Sequence, residues 1–167
     1  SYQTAYLKYY YPVEFMAALL TSVIDNSGKV AEYIYSCRQM GIQILPPDIN
    51  KSVGTFSVEN GNIRFGLTAI KSVGRPVIQA IIEERKERGE FKHLKDFIER
   101  MGGREVNKRT IENFIKAGVF DSLGGTRKQF MMIYIQIMDQ VNQERKYSMT
   151  GQMSLFDLVD DEQKKEF

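Results

Sequence analysis

A mainly α chain interrupted by one small β-hairpin is the fold class this sequence predicts. Three features carry the prediction. Apolar residues recur at helical spacing, as in Val30, Ile34 and Cys37. Prolines and glycines cut that pattern into helix-length pieces at Pro12, Gly41, Pro46-Pro47 and Gly102-Gly103. A single Asn60-Gly61 pair sits between two short runs rich in strand-forming residues. A chain of 167 residues can bury a real core, and 43% hydrophobic with 26% charged residues are globular proportions that exclude disorder throughout. No apolar run approaches the span of a bilayer, so the chain reads as soluble, with no membrane partner.

In chain order, Tyr2 to Tyr10 has helical composition, Tyr11-Pro12 interrupts it, and Val13 to Leu20 resumes a helix with Pro12 near its first turn. Asp25-Asn26-Ser27-Gly28 reads as a turn, and Lys29 to Met40 as a helix that stops at Gly41. Ile42 to Leu45 is a short apolar run. Pro46-Pro47-Asp48 forbids continued helix and marks a connector. Thr55 to Val58 and Ile63 to Gly66 then form the arms of the hairpin around Asn60-Gly61.

The stretch from Phe65 to Gly74, followed by Arg75-Pro76-Val77-Ile78, resembles a helix-hairpin-helix motif. In that motif an apolar helix ends in a tight small-residue loop and a second helix starts at once. Ser72-Val73-Gly74 occupies the loop. A small residue lets the backbone approach a phosphate, and free N–H groups at the next helix start carry partial positive charge. Lys71 and Arg75 add formal charge beside those amides, and Val73 plugs into the core to hold the loop. Ser72 stands where the motif usually has its first glycine, which makes a left-handed backbone there more costly. The same residues also fit a plain helix-helix corner.

A second unit follows. Phe91 to Met101 reads as a helix with Leu94, Phe97, Ile98 and Met101 on one face, and Asn107 as the N-cap of Lys108 to Lys116. Ala117-Gly118-Val119 offers a second small-residue loop, but Asp121 follows where it would repel phosphate, so this copy reads as chiefly structural. A longer helix from Thr126 to Arg145 places Phe130, Ile133, Ile137 and Val141 on its apolar stripe, capped by Thr126. Its methionines fit a core face.

Charge is uneven. Residues 1–63 hold 4 Lys/Arg and 5 Asp/Glu, residues 64–128 hold 15 and 9, and residues 129–167 hold 4 and 7. The balances are −1, +6 and −3, and a basic middle fits contact with a nucleic-acid backbone, although a solvated helical surface would look similar. The single Cys37 excludes an internal disulfide, and with the single His93 it leaves no cluster of metal-ligand spacing. The absence of an initiator Met at Ser1 leads us to expect a fragment of a longer protein.

Gln152-Met153-Ser154-Leu155-Phe156 resembles the pentapeptide with which bacterial replication proteins grip the sliding clamp, with Met in place of the first Leu. Leu155 and Phe156 would fill an apolar pocket while Gln152 fixes the register. Taken alone, the segment could equally be an amphipathic tail folded back on its own domain.

The family that fits all these pieces is the bacterial DNA polymerase III α subunit, DnaE type. Ser1 to Lys8, Tyr11 to Leu20, Ile44 to Asn50, Ile63 to Leu67, Ile70 to Gly74 and Ile115 to Asp121 resemble it in the family's own order. The resemblance implies the end of a fingers region over residues 1–45, a tandem helix-hairpin-helix DNA-binding domain over 46–146, and a tail with the clamp-binding motif over 147–167. The fold class becomes a mainly α, tandem helix-hairpin-helix domain with a small β-hairpin and a preceding helical fingers segment. The parent would be a DNA-directed DNA polymerase, a nucleotidyltransferase in the bacterial cytoplasm at the nucleoid-associated replisome. Its Mg²⁺ would be held by palm carboxylates upstream. Asp25, Asp48 and Asp121 match no such motif and read as turn and cap residues, so no catalytic residue and no cofactor is expected in this fragment. Expected partners are duplex DNA, bound without sequence preference through Lys71, Ser72, Val73, Gly74 and Arg75, the β sliding clamp, and other replisome subunits through the parent. Two other classes remain: a stand-alone helix-hairpin-helix repair adaptor that recruits the clamp, and a protein-protein scaffold that touches no DNA. Ser1 to Leu20 argues against the adaptor, since a minimal DNA-binding module has no use for it.

Overall fold

The computed structural model describes residues 2–104 and 106–165. Ser1, first residue of the stretch compared with the fingers region, lies outside the described residues. Proline makes the first division: α1 (Tyr2–Tyr10) ends and α2 (Pro12–Ser22) begins with Pro12 in its first turn, where the missing N–H costs nothing. α2 buries Met16, Ala17 and Leu20 against α3 (Ser27–Gln39), which buries Val30 and Cys37. The Asn26 side chain caps α3 by accepting from the Lys29 N–H at 3.1 Å. Burial pushes the Cys37 thiol pKa up, so it is a packing residue.

The β1 strand (Ile44–Leu45), β2 (Ser57–Glu59) and β3 (Asn62–Arg64) form a sheet in the order β1-β3-β2. Asn60 and Gly61 both have positive φ, 51° and 76°, as a two-residue hairpin turn requires. The hairpin gains a parallel neighbour, with Ile44 opposite Ile63 and Val58 opposite Ile63 on the other side. Arg64 fastens it, donating to Glu59 at 2.7 and 2.9 Å and to the Pro46 carbonyl at 2.8 Å. Fully buried Ile63 completes the first core with the α2 and α3 residues.

The second core is larger and belongs to α4 (Arg75–Arg88), α5 (Leu94–Met101), α6 (Lys108–Ala117) and α7 (Arg127–Lys165). Its centre is a chain of edge-to-face rings: Phe91 on Phe97, Phe97 on Phe120 and Phe114, and Phe120 on Phe130. Such pairs add about 0.5–1.5 kcal/mol each beyond their buried area. Phe65, just after β3, packs against both cores.

Several expectations need adjustment. The apolar stretch before Ser72 is no α-helix but one 3₁₀ turn, Leu67–Ala69. The chain here is pressed against residues 53–55: the Leu67 and Thr68 N–H groups donate to the Val53 and Gly54 carbonyls at 2.9 and 3.1 Å, and a Cβ on Gly66 would lie 2.6–2.8 Å from backbone atoms of residues 54 and 55. α5 starts at Leu94, three residues later than expected, because the His93 ring accepts from the Asp96 N–H at 2.9 Å and caps it. On α7 the buried stripe is Phe130, Tyr134 and Val141 with half-buried Ile137, while Ile133 is exposed. Tyr134 takes the inward place because the 3.6-residue period runs through it, and its hydroxyl donates to Glu112.

Thr126 and Gln129 close a reciprocal capping box at 3.0 and 3.1 Å, as the N-cap assignment required. The other end differs, because α7 passes Arg145 and runs on to Lys165. Every side chain from Lys146 to Asp160 is exposed, so this half of the helix does not fold back on the domain. Hydrogen bonds therefore cross both expected domain boundaries, through the β1–β3 pairing at 45/46 and along α7 at 146/147.

Candidate nucleic-acid interface

The hairpin loop is made by a tight reversal between the 3₁₀ turn and α4. Ile70 and Val73 are buried and anchor it from both sides. Ser72 between them has φ +61°, the left-handed backbone its position in the motif calls for. Gly74 is the N-cap of α4 in ordinary extended backbone, φ −73° and ψ 151°, followed by Arg75 and Pro76 in the first turn. Nothing inside the fold demands glycine there, since a Cβ would meet only the Pro76 ring at an ordinary 3.6 Å.

Among the described residues, the N–H groups of Ser72, Gly74, Arg75 and Val77 donate to no protein acceptor. Unpaired amides clustered at a helix start are a concentration of partial positive charge. Lys71, exposed and without an ion pair among the described residues, and Arg75 flank them. The structure thus gathers all five expected residues, with Val73 as the plug and the other four at the surface.

Two contacts were not foreseen. Arg75 donates to Asp25 of the α2–α3 turn at 3.1 Å, and Asn113 of α6 donates to the Lys71 carbonyl at 3.1 Å. On α6, Arg109 and Lys116 lie four residues before and three after Asn113, hence on its face, and both are exposed. These partners are 50 and 42 residues from the loop, beyond the reach of any local pattern.

The second loop repeats the first. Gly118 holds φ +83° where Ser72 stands, and Val119 is buried where Val73 is. Asp121 then points to a different use, pairing with Arg127 at 2.9 Å and tying the loop to α7. Asp48 turns the connector, accepting from the Asn50 N–H at 2.8 Å. Among the described residues no group of three His, Cys, Asp or Glu is placed to hold a metal ion, and no helix is long and apolar enough to cross a membrane.

Gln152, Leu155 and Phe156 share one face of α7 with Val159, while Met153 and Ser154 lie to its sides. Leu155 and Phe156 are 64% and 71% exposed, which is high for large apolar side chains with no crowding by the domain.

A small-residue loop with free amides, a buried plug and a repeated left-handed turn define a helix-hairpin-helix protein. A family model described as a helix-hairpin-helix motif matches residues 41–130, and the chain belongs to that family. Its curated relatives narrow the class. It is 44% identical over 161 residues to the DNA polymerase III subunit alpha of Thermus aquaticus, covering 96% of this chain and 13% of the relative. The subunit alpha of Mycobacterium tuberculosis H37Rv is 42% identical over 161 residues, 96% of this chain and 14% of the relative. That of Campylobacter jejuni is 50% identical over 132 residues, 77% of this chain and 11% of the relative. The resemblance to bacterial DNA polymerase III α subunits holds, and the chain spans about one seventh of the length of the relatives it matches.

Proposed function

We propose that this chain is the part of a bacterial replicative DNA polymerase α subunit that grips duplex DNA by its backbone and tethers the enzyme to a sliding clamp. One observation carries the DNA reading: the unpaired amides of Ser72, Gly74, Arg75 and Val77 lie beside the exposed side chains of Lys71 and Arg75. Phosphate contacts of this kind position a protein on DNA and carry no sequence information. Residues 1–45 would finish the fingers region, and nucleotidyl transfer with its Mg²⁺ would belong to a palm region of the whole protein, working in the cytoplasm with other replisome subunits.

The clamp reading is supported by Gln152, Leu155 and Phe156, which are exposed, share a face and lie on a helix segment whose side chains from Lys146 to Asp160 are all exposed. Two weak contacts, one to the DNA and one to a ring around it, reinforce each other by raising effective concentration. The test of the DNA half is a salt titration of duplex binding. Lys71→Ala/Arg75→Ala should weaken binding and reduce the slope of log affinity against log salt by about two. An unchanged slope would remove this loop as the contact.

A further inference from the structure

The hairpin loop is held from outside its own motif. Among the described residues no side chain other than Asn113 holds residues 71–74 by a hydrogen bond, and Asn113 comes from α6, in the second unit. Its carboxamide Nδ2 donates to the Lys71 carbonyl at 3.1 Å. The Lys71–Ser72 peptide is planar and trans, so the carbonyl and the following N–H point in opposite directions. A Lys71 carbonyl turned toward α6 sends the Ser72 N–H away from α6, and that amide donates to no protein acceptor.

Ser72 needs such a hold. Its φ of +61° is unfavourable for a residue with a Cβ, by an amount of the same order as one hydrogen bond returns. Conformations of this kind persist where the surroundings enforce them. The second loop has Gly118 at the matching place and needs no such help.

We propose that Asn113 is a positioning residue for the phosphate-binding loop: it fixes the Lys71–Ser72 peptide in the left-handed turn that presents the loop amides outward. The second helix-hairpin-helix unit, whose own loop keeps Asp121, thereby contributes to DNA binding by setting the geometry of the first. This inference rests on the duplex-binding reading above.

The experiment uses the full chain and a fluorescently labelled DNA duplex of arbitrary sequence, with anisotropy followed at several salt concentrations and thermal midpoints recorded for every variant. Asn113→Ala should weaken binding about three- to tenfold at temperatures where it is fully folded. Its salt slope should stay that of the wild type, since Lys71 and Arg75 remain. Adding Ser72→Gly should restore most of the loss, because glycine adopts positive φ without a Cβ penalty. A purely structural role would lower the midpoint and spare the affinity. Wild-type affinity in Asn113→Ala, alongside weakened binding in Lys71→Ala/Arg75→Ala, would overturn the positioning role and leave the duplex reading standing. A loss that Ser72→Gly fails to restore would overturn it as well, since Asn113 would then act through something other than that backbone. Wild-type binding by all variants, the double cation variant included, would remove the duplex reading and this inference with it.

Discussion

Asp25 holds Arg75, the same guanidinium that flanks the hairpin loop, at 3.1 Å across the gap between the α2–α3 turn and the start of α4. Both side chains are well exposed, 77% and 72%, so the pair is screened by water and is worth at most about 1 kcal/mol. A phosphate arriving at the loop would compete with Asp25 for Arg75. Asp25→Asn should therefore raise duplex affinity at low salt, by up to about fivefold, with little change in thermal midpoint. Weaker binding in this variant would mean that Asp25 orients Arg75 for the phosphate instead of occupying it.

Gly74 gives a sharper separation of folding from binding. Serine is a better N-cap than glycine, and its hydroxyl would bond to the Val77 N–H, two places past the N1 residue Arg75. Gly74→Ser should thus leave stability unchanged or raise it by up to about 0.5 kcal/mol while weakening duplex binding, because it occupies one of the free amides and adds bulk at the surface. Opposite signs in a melting curve and a DNA titration of the same variant are the expected result. Loss of stability together with binding would count against the loop's openness being for a partner.

What could be read from the sequence was what local chemistry decides. Pro12, Asn60-Gly61, Asn107 and Thr126 each terminate or start an element through their own backbone demands, and each stands where it was placed. The loop residues 71–75 were legible for the same reason, since a short small-residue reversal before a helix is a local object. The 3₁₀ turn in place of a helix was not, because it sits where residues 66–68 press on residues 53–55, a contact between distant segments. Asp25 and Asn113 were missed for that reason too. The continuation of α7 past Arg145 was hidden differently: a fully exposed helix buries no stripe, so polar composition there looks the same whether the chain is helical or not.

The buried ion network under α4 makes stability depend on acid. Glu84 is 2% exposed and accepts from Arg100 at 3.1 Å and from Arg88. Burial pushes its carboxyl pKa up, but the hydrogen bonds and charges of Arg100 and Arg88 together outweigh it and hold the value below the ordinary 4.5. A lowered folded pKa means stability that is fully present above about pH 4.5 and lost as pH falls through the folded value. Glu84→Gln should cost about 1–3 kcal/mol at neutral pH, since Arg100 keeps Asp96 at 3.2 Å but loses the charge of Glu84. That cost should shrink in acid, where the wild-type carboxyl is itself protonated. Urea unfolding of both proteins at neutral pH and near pH 3 measures the difference, and a cost independent of pH would show that the charge of Glu84 is not what stabilises the fold.

The exposed half of α7 sets the last prediction. Leu155 and Phe156 contribute nothing to either core, being absent from both clusters and largely open to solvent. Truncating them should change the unfolding free energy by no more than about 0.5 kcal/mol, as surface substitutions do. On the clamp reading proposed above the same two side chains would be the anchors, and their loss should remove about 2–4 kcal/mol, roughly thirty- to a thousand-fold in clamp affinity. Duplex binding through Lys71 and Arg75 should be untouched, because the loop and the far end of α7 share no contact among the described residues. Immobilised clamp titrated with wild type and Leu155→Ala/Phe156→Ala, beside a thermal melt of each, separates the cases. Equal clamp affinity would show that these side chains are not the docking anchors, whereas a lower thermal midpoint would show that they pack on the domain after all.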